Sequence, residues 1–172
     1  MLVYIINMEE EIVVPAQPFY MGIFGTRSDL DYEHIIEHIL LSMFEVTQRM
    51  PEKMIGPSDG YSTLYLEKYA TSHNITWKTI YSDWQKHGRK ATFMRDYTIE
   101  HECNYALVFL NKKTQTLEKY AERLAKKGKH VFTYDHNNTL SYYSVETGEP
   151  PKKPLQKSSK KSQRTMLAYL RV

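Results

Sequence analysis

Residues 82–99, SDWQKHGRKATFMRDYTI, carry Lys86, Arg89, Lys90 and Arg95 within ten positions, with His87 and Gly88 among them and Trp84 just upstream. Clustered cations beside a glycine suit an anion: Arg grips phosphate through two parallel hydrogen bonds, and Gly lets the backbone approach a ligand closely. Three other short segments share this character. They are Gly25-Thr26-Arg27-Ser28, Gly56-Pro57-Ser58-Asp59-Gly60 and Asn111-Lys112-Lys113-Thr114-Gln115-Thr116. Four such segments on one rim would offer backbone N–H groups, small hydroxyls and cations to a polyanion.

Other chemistry is weaker on inspection. His34-Ile35-Ile36-Glu37-His38 matches H-x-x-E-H, a zinc-protease pattern. With His34 as origin and about 100° per residue, Ile35, Ile36, Ile39, Leu40, Met43 and Phe44 cover an arc from about 100° to about 280°. His34 and His38 then lie with Glu45 on the solvated side, so no metal is expected. His101-Glu102-Cys103 lacks ligand spacing, because adjacent helical residues point apart. Cys103 is expected to be a small buried residue. The chain has no nucleophile elbow, P-loop or complete G-x-G-x-x-G. No catalytic residue is assigned and no cofactor is expected.

The positioning elements follow from periodicity. FYMGIFG (19–25) and YALVFL (105–110) read as strands buried on both faces. KMIG (53–56) and ITWKTIY (75–81) read as further strands. Helices are expected over 31–48, 61–73, 91–103 and 116–127, the last closed by Gly128. KHVFTYD and LSYYSVE, joined across HNNT, read as a C-terminal hairpin, and MLVYIIN with EIVVP as an N-terminal one. Strand–helix alternation predicts an α/β parallel sheet with helices on both faces and right-handed crossovers. In such sheets ligands bind beyond the carboxyl ends of the strands. The four polar segments are the loops expected at that edge.

The chain has 172 residues, 41% hydrophobic and 25% charged, a folded-protein balance. Its length suits one domain over 1–149 followed by a Lys/Ser/Pro-rich tail over 150–172. Residues 151–172 hold seven Lys and Arg and no acid, so a net charge of +3 conceals a mildly acidic body. One cysteine, no secretory leader pattern and no long apolar run point to a cytoplasmic protein with no membrane partner.

From about residue 20 to 134 the chain resembles the SLOG superfamily, the Rossmann-like nucleotide-binding group, in a short branch frequent in bacteria and their phages. The resemblance rests on Gly25-Thr26-Arg27 after the first strand, on Trp84, Gly88, Arg89, Ala91, Arg95 and Asp96 in the third segment, and on Lys68-Tyr69-Ala70. Departures are Gly56-Pro57 for a double glycine, Ser62 for an acid, Thr92 for a glycine, Asp96 for an Asn, and a fourth loop without glycines. Pro57 also removes a backbone donor. The resemblance implies a nucleotide or nucleotide-derived ligand, ADP-ribose-like or a nucleotide sugar, and a sensor or sequestering role, with a phage-encoded binder among the forms that role takes. The P-G-G-x-G-T-x-x-E signature of relatives that cleave nucleotide glycosidic bonds is absent.

The expectation is therefore a nucleotide-binding protein. Gly25, Thr26, Arg27, Gly56, Ser58 and Gly60 hold the phosphates, and Arg89 and Arg95 neutralise them. Thr114 and Thr116 close the other side. Trp84 offers a wall for a base, and Gly88 and Asp96 belong to the same segment. The competing reading of Trp84 and Trp77 is core packing. One alternative is a nucleotide N-glycoside hydrolase or transferase using Asp59, Asp83 or Asp96. Another is a nucleic-acid or protein-binding module acting through residues 151–172, where clustered cations release counterions from phosphates. That tail also complements the acidic body of a second subunit, which keeps a homo-oligomer open.

Overall fold

β-Branched, aromatic and small apolar residues in short runs form the strands of a computed structural model that describes residues 17–25, 27–60, 62–113 and 115–143. The elements run β1 (Tyr20–Phe24), α1 (Tyr32–Thr47), β2 (Lys53–Pro57), α2 (Thr63–Ser72), β3 (Thr76–Ile80) and α3 (Trp84–His87). A 3-10 turn (Gly88–Lys90) leads into α4 (Ala91–Glu102), β4 (Tyr105–Phe109), α5 (Thr116–Lys126), β5 (His130–Tyr134) and β6 (Leu140–Tyr143). The expected N-terminal hairpin, Thr26, Thr114 and the basic tail lie outside the described residues.

Six strands form one sheet in the order β3-β2-β1-β4-β5-β6. The first five are parallel and β6 is antiparallel to β5. The strand order reverses between β1 and β4, the signature of a Rossmann-like α/β fold. Alternation along the strands supplies two cores. Met21, Ile23, Met54, Leu107 and Phe109 pack with Ile36, Ile39 and Leu40 of α1 and with Leu66 and Ala70 of α2. Phe24, Ile55, Ala106 and Val108 pack on the opposite face with Ile99 of α4 and with Ala121, Leu124 and Ala125 of α5. Each such fully buried large side chain contributes about 1.5–3 kcal/mol of transfer free energy. The expected helices on both faces are present.

The expected C-terminal hairpin is present as β5 and β6, and β5 is also the fifth parallel strand, delivered by the α5 crossover. One expectation is corrected. The basic segment 82–90 is not an open loop. Asp83 accepts the Lys86 backbone N–H at 2.9 Å and caps α3. Gly88, at φ 49° and ψ −129°, turns the chain into the 3-10 segment. Gly128, at φ 83°, follows α5 as expected.

Candidate functional site

The loops after β1 and β4 meet where the strand order reverses. They line a polar hollow of about 600 Å3 with Arg27, Ser28, Asp29, Asn111, Lys112, Lys113, His136 and Asn137. The last two come from the β5–β6 turn, held by Asp135, whose Oδ1 accepts the N–H groups of Asn137 and Thr139 at 2.8 and 2.9 Å. Arg27 is 6% exposed. Its Nε and Nη2 donate to the Asp29 carboxylate at 3.0 and 2.6 Å, and its Nη1 donates to the Asp135 carbonyl. Its backbone N–H donates to the Tyr32 hydroxyl at 2.8 Å. The side-chain hydrogen bond from Arg27 holds the Asp29 carboxyl below its ordinary pKa. Arg27 thus clasps the β1 loop to the β5–β6 turn instead of presenting an unpaired guanidinium. Lys112 and Lys113 are exposed.

A second groove, of about 390 Å3, runs between α4 and α5 on the face that carries Phe24. Phe93, Tyr97, Leu117 and Tyr120 give it apolar walls, and Asp96, Glu100 and Thr116 also line it. Its upper end abuts Gly25, because a Cβ there would lie 2.9 Å from the Leu117 Cδ1. At its lower end Glu100, 3% exposed, accepts the Tyr120 hydroxyl at 3.0 Å, Arg123 Nη2 at 3.5 Å and Lys127 Nζ. Burial raises the Glu100 pKa, but the hydrogen bonds from Lys127 and Tyr120 and the nearby cationic charges outweigh it, leaving the carboxyl below its ordinary value. Burial, with Glu100 alongside, pushes the Tyr120 hydroxyl pKa up.

Asp96 joins this groove to the third predicted segment. Arg95, with its side chain 12% exposed, donates from Nε and Nη2 to Asp96 Oδ1 at 3.0 and 2.8 Å. Its Nη1 donates to Asp59 Oδ1 at 2.5 Å. Burial raises the Asp96 pKa, Arg95 opposes this, and the Asp59 charge adds to it.

The structure redistributes the expected cradle. Arg27 lines the polar hollow and Arg95 does not, and each is paired with acid, so the structure does not bring the two guanidiniums to one hollow. Asp96 and Thr116 share the groove, and Gly25 borders it. Gly25, at φ 72°, is required by sterics: a Cβ would lie 2.6 Å from the Phe109 carbonyl oxygen. Gly56 makes room for an indole, since a Cβ would lie 2.5 Å from Trp77 Cη2. The second loop is held by the end of β3 and by its own backbone. The Ser58 N–H donates to the Ile80 carbonyl at 3.0 Å, and Thr63 Oγ1 donates to the Pro57 carbonyl at 2.7 Å. Gly56, Ser58 and Gly60 line neither hollow.

Lys86, Arg89 and Lys90 are exposed, so the conspicuous cationic run is largely a solvated surface. Trp84 is 57% exposed and lies outside the core, whereas Trp77 packs against it. Cys103 is buried, and burial raises its thiol pKa to about 11. His34 is exposed on α1 and hydrogen-bonded to Asp31. Of the acids considered for glycosidic chemistry, Asp83 caps α3 and Asp59 and Asp96 pair with Arg95. Among the described residues no helix is long and apolar enough to cross a membrane.

Lys112 and Lys113 belong to a segment marked in the sequence but were not singled out there. Phe93, Tyr97, Leu117 and Tyr120 were not anticipated at all. Their signal was helical spacing: Phe93 and Tyr97, Asp96 and Glu100, and Thr116 and Tyr120 are each four apart and so share a face.

The class defined by this architecture is a Rossmann-like α/β protein with two hollows flanking the β1–β4 reversal. Compared with known proteins, the chain matches no family model, no curated protein and no solved structure.

Proposed function

We propose that this protein binds a nucleotide or nucleotide-derived ligand, of the ADP-ribose or nucleotide-sugar kind, at the carboxyl edge of its sheet. The observation that supports the reading is the polar hollow at the strand-order reversal, walled by the loops after β1 and β4. This is where open α/β sheets hold ligands, because adjacent loops part in opposite directions and leave a crevice. Lys112 and Lys113 are the cations there that no carboxylate occupies among the described residues. They, rather than Arg27 and Arg95, contact the phosphates. Arg27 and Asp29 shape the wall. The resemblance of Gly25-Thr26-Arg27 and of the Trp84–Asp96 segment to the SLOG superfamily agrees with this ligand class.

Calorimetric titration of the full chain with ADP-ribose, and separately with inorganic pyrophosphate, tests the reading. Saturable binding is expected, weakened at least about tenfold by the double substitution Lys112→Ala/Lys113→Ala, since two charge-assisted contacts are lost. No binding of either probe at millimolar concentration, or binding indifferent to the double substitution, overturns it.

A further inference from the structure

We infer that the groove between α4 and α5 is a nucleobase subsite that selects bases carrying an exocyclic amino group, with the accessible Oδ2 of Asp96 as the acceptor. The inference deepens the nucleotide reading above and rests on it for the position of the phosphates alone. The groove has the two properties a base requires. Its walls are aromatic and aliphatic, from Phe93, Tyr97, Leu117 and Tyr120, and its volume of about 390 Å3 falls in the usual small-molecule range of roughly 300–1,000 Å3. Phe93 and Tyr97 are 57% and 45% exposed, large apolar faces that a stacked ring would cover.

Selectivity follows from the carboxylates. Glu100 has both oxygens engaged by Tyr120, Arg123 and Lys127. Asp96 does not. Arg95 takes only Oδ1, with two N–H groups, and no hydrogen bond within the described residues reaches Oδ2. Asp96 lines the groove with its side chain 34% exposed, so the oxygen that Arg95 leaves unengaged is the acceptor we assign to a ligand there. An ionised carboxylate accepts and never donates. An amino group on the ring therefore gains a charge-assisted hydrogen bond, whereas a carbonyl at the same place meets electrostatic repulsion. The groove abuts Gly25 at the sheet edge, so a base in it is contiguous with the β1 loop that also walls the polar hollow.

The test uses nucleosides, which lack phosphate, on the full chain, followed by amide NMR shifts. Adenosine is compared with inosine, and cytidine with uridine, because each pair exchanges an amino group for a carbonyl. Adenosine and cytidine should shift α4 and α5 amides and bind about tenfold tighter than their partners, the worth of one hydrogen bond to a charged group. Asp96→Asn should abolish that preference. Phe93→Ser and Tyr97→Ser, at exposed positions outside both cores, should weaken all four nucleosides alike. Equal binding of adenosine and inosine, or no shifts in α4 and α5, overturns the inference. Selective nucleoside binding with pyrophosphate indifferent to Lys112 and Lys113 would sustain this subsite and remove the phosphate reading. Pyrophosphate binding without nucleoside shifts would do the reverse.

Discussion

Replacing Arg95 by Ala removes the one group among the described residues that bridges Asp59 and Asp96. Two carboxylates then face each other without the intervening cation. Removing one partner of a fully buried ion pair costs about 3–5 kcal/mol, but exposed pairs contribute only about 0–1 kcal/mol. Asp59 and Asp96 have side chains 57% and 34% exposed, so an intermediate cost of about 1–2 kcal/mol is expected at neutral pH. The pH dependence is the sharper signature. Burial and the Asp59 charge both raise the Asp96 pKa, and Arg95 opposes them. Without Arg95 the raising influences act alone. A carboxyl whose folded pKa exceeds its unfolded value of about 3.9 favours the fold while protonated and loses that contribution as pH rises through the folded value. The cost of Arg95→Ala should therefore be smallest near pH 4, grow as pH rises and then level off. Adding Asp96→Asn should recover part of the loss and flatten the profile. Urea denaturation of the full chain between about pH 4 and pH 8 measures this. A cost independent of pH, or no recovery in the double variant, would refute the reasoning.

Gly25→Ala should destabilise the fold by about 3 kcal/mol, combining left-handed backbone strain with a clash against the Phe109 carbonyl that no rotamer change relieves. A shift in denaturation free energy below about 1 kcal/mol would show that the β1–β4 approach is slack. Cys103, buried with its thiol pKa pushed up to about 11, should resist a thiol reagent at neutral pH in the native protein and react at once in denaturant. Equal rates in both states would contradict that burial.

The strands and helices were legible because each is locally consistent. Tyr105–Phe109 is apolar throughout, short and bounded by polar segments, so it reads as a central strand. Ile36, Ile39, Leu40 and Met43 repeat at helical spacing, and Gly128 terminates α5. The status of the cations was not legible. The adjacent Asp96 is the only local feature that sets Arg95 apart from the exposed Arg89, and adjacency in sequence does not by itself dictate an ion pair. The pairing of Arg95 with Asp59 spans thirty-six residues and exists only once α4 crosses β2. Gly56 misled for the same reason, because the ring that fills its space belongs to Trp77 on the neighbouring strand.

Composition and periodicity determined the element types, the alternation and hence the parallel sheet with helices on two faces. These depend on interactions within a few residues and on the single demand that apolar stripes be buried. Tertiary structure alone decided which loops share a hollow, which charges are already neutralised and that α4 and α5 leave a groove ending at Gly25. Those outcomes depend on strand order and helix separation, which bring together residues dozens of positions apart and leave no mark on the sequence near any one of them.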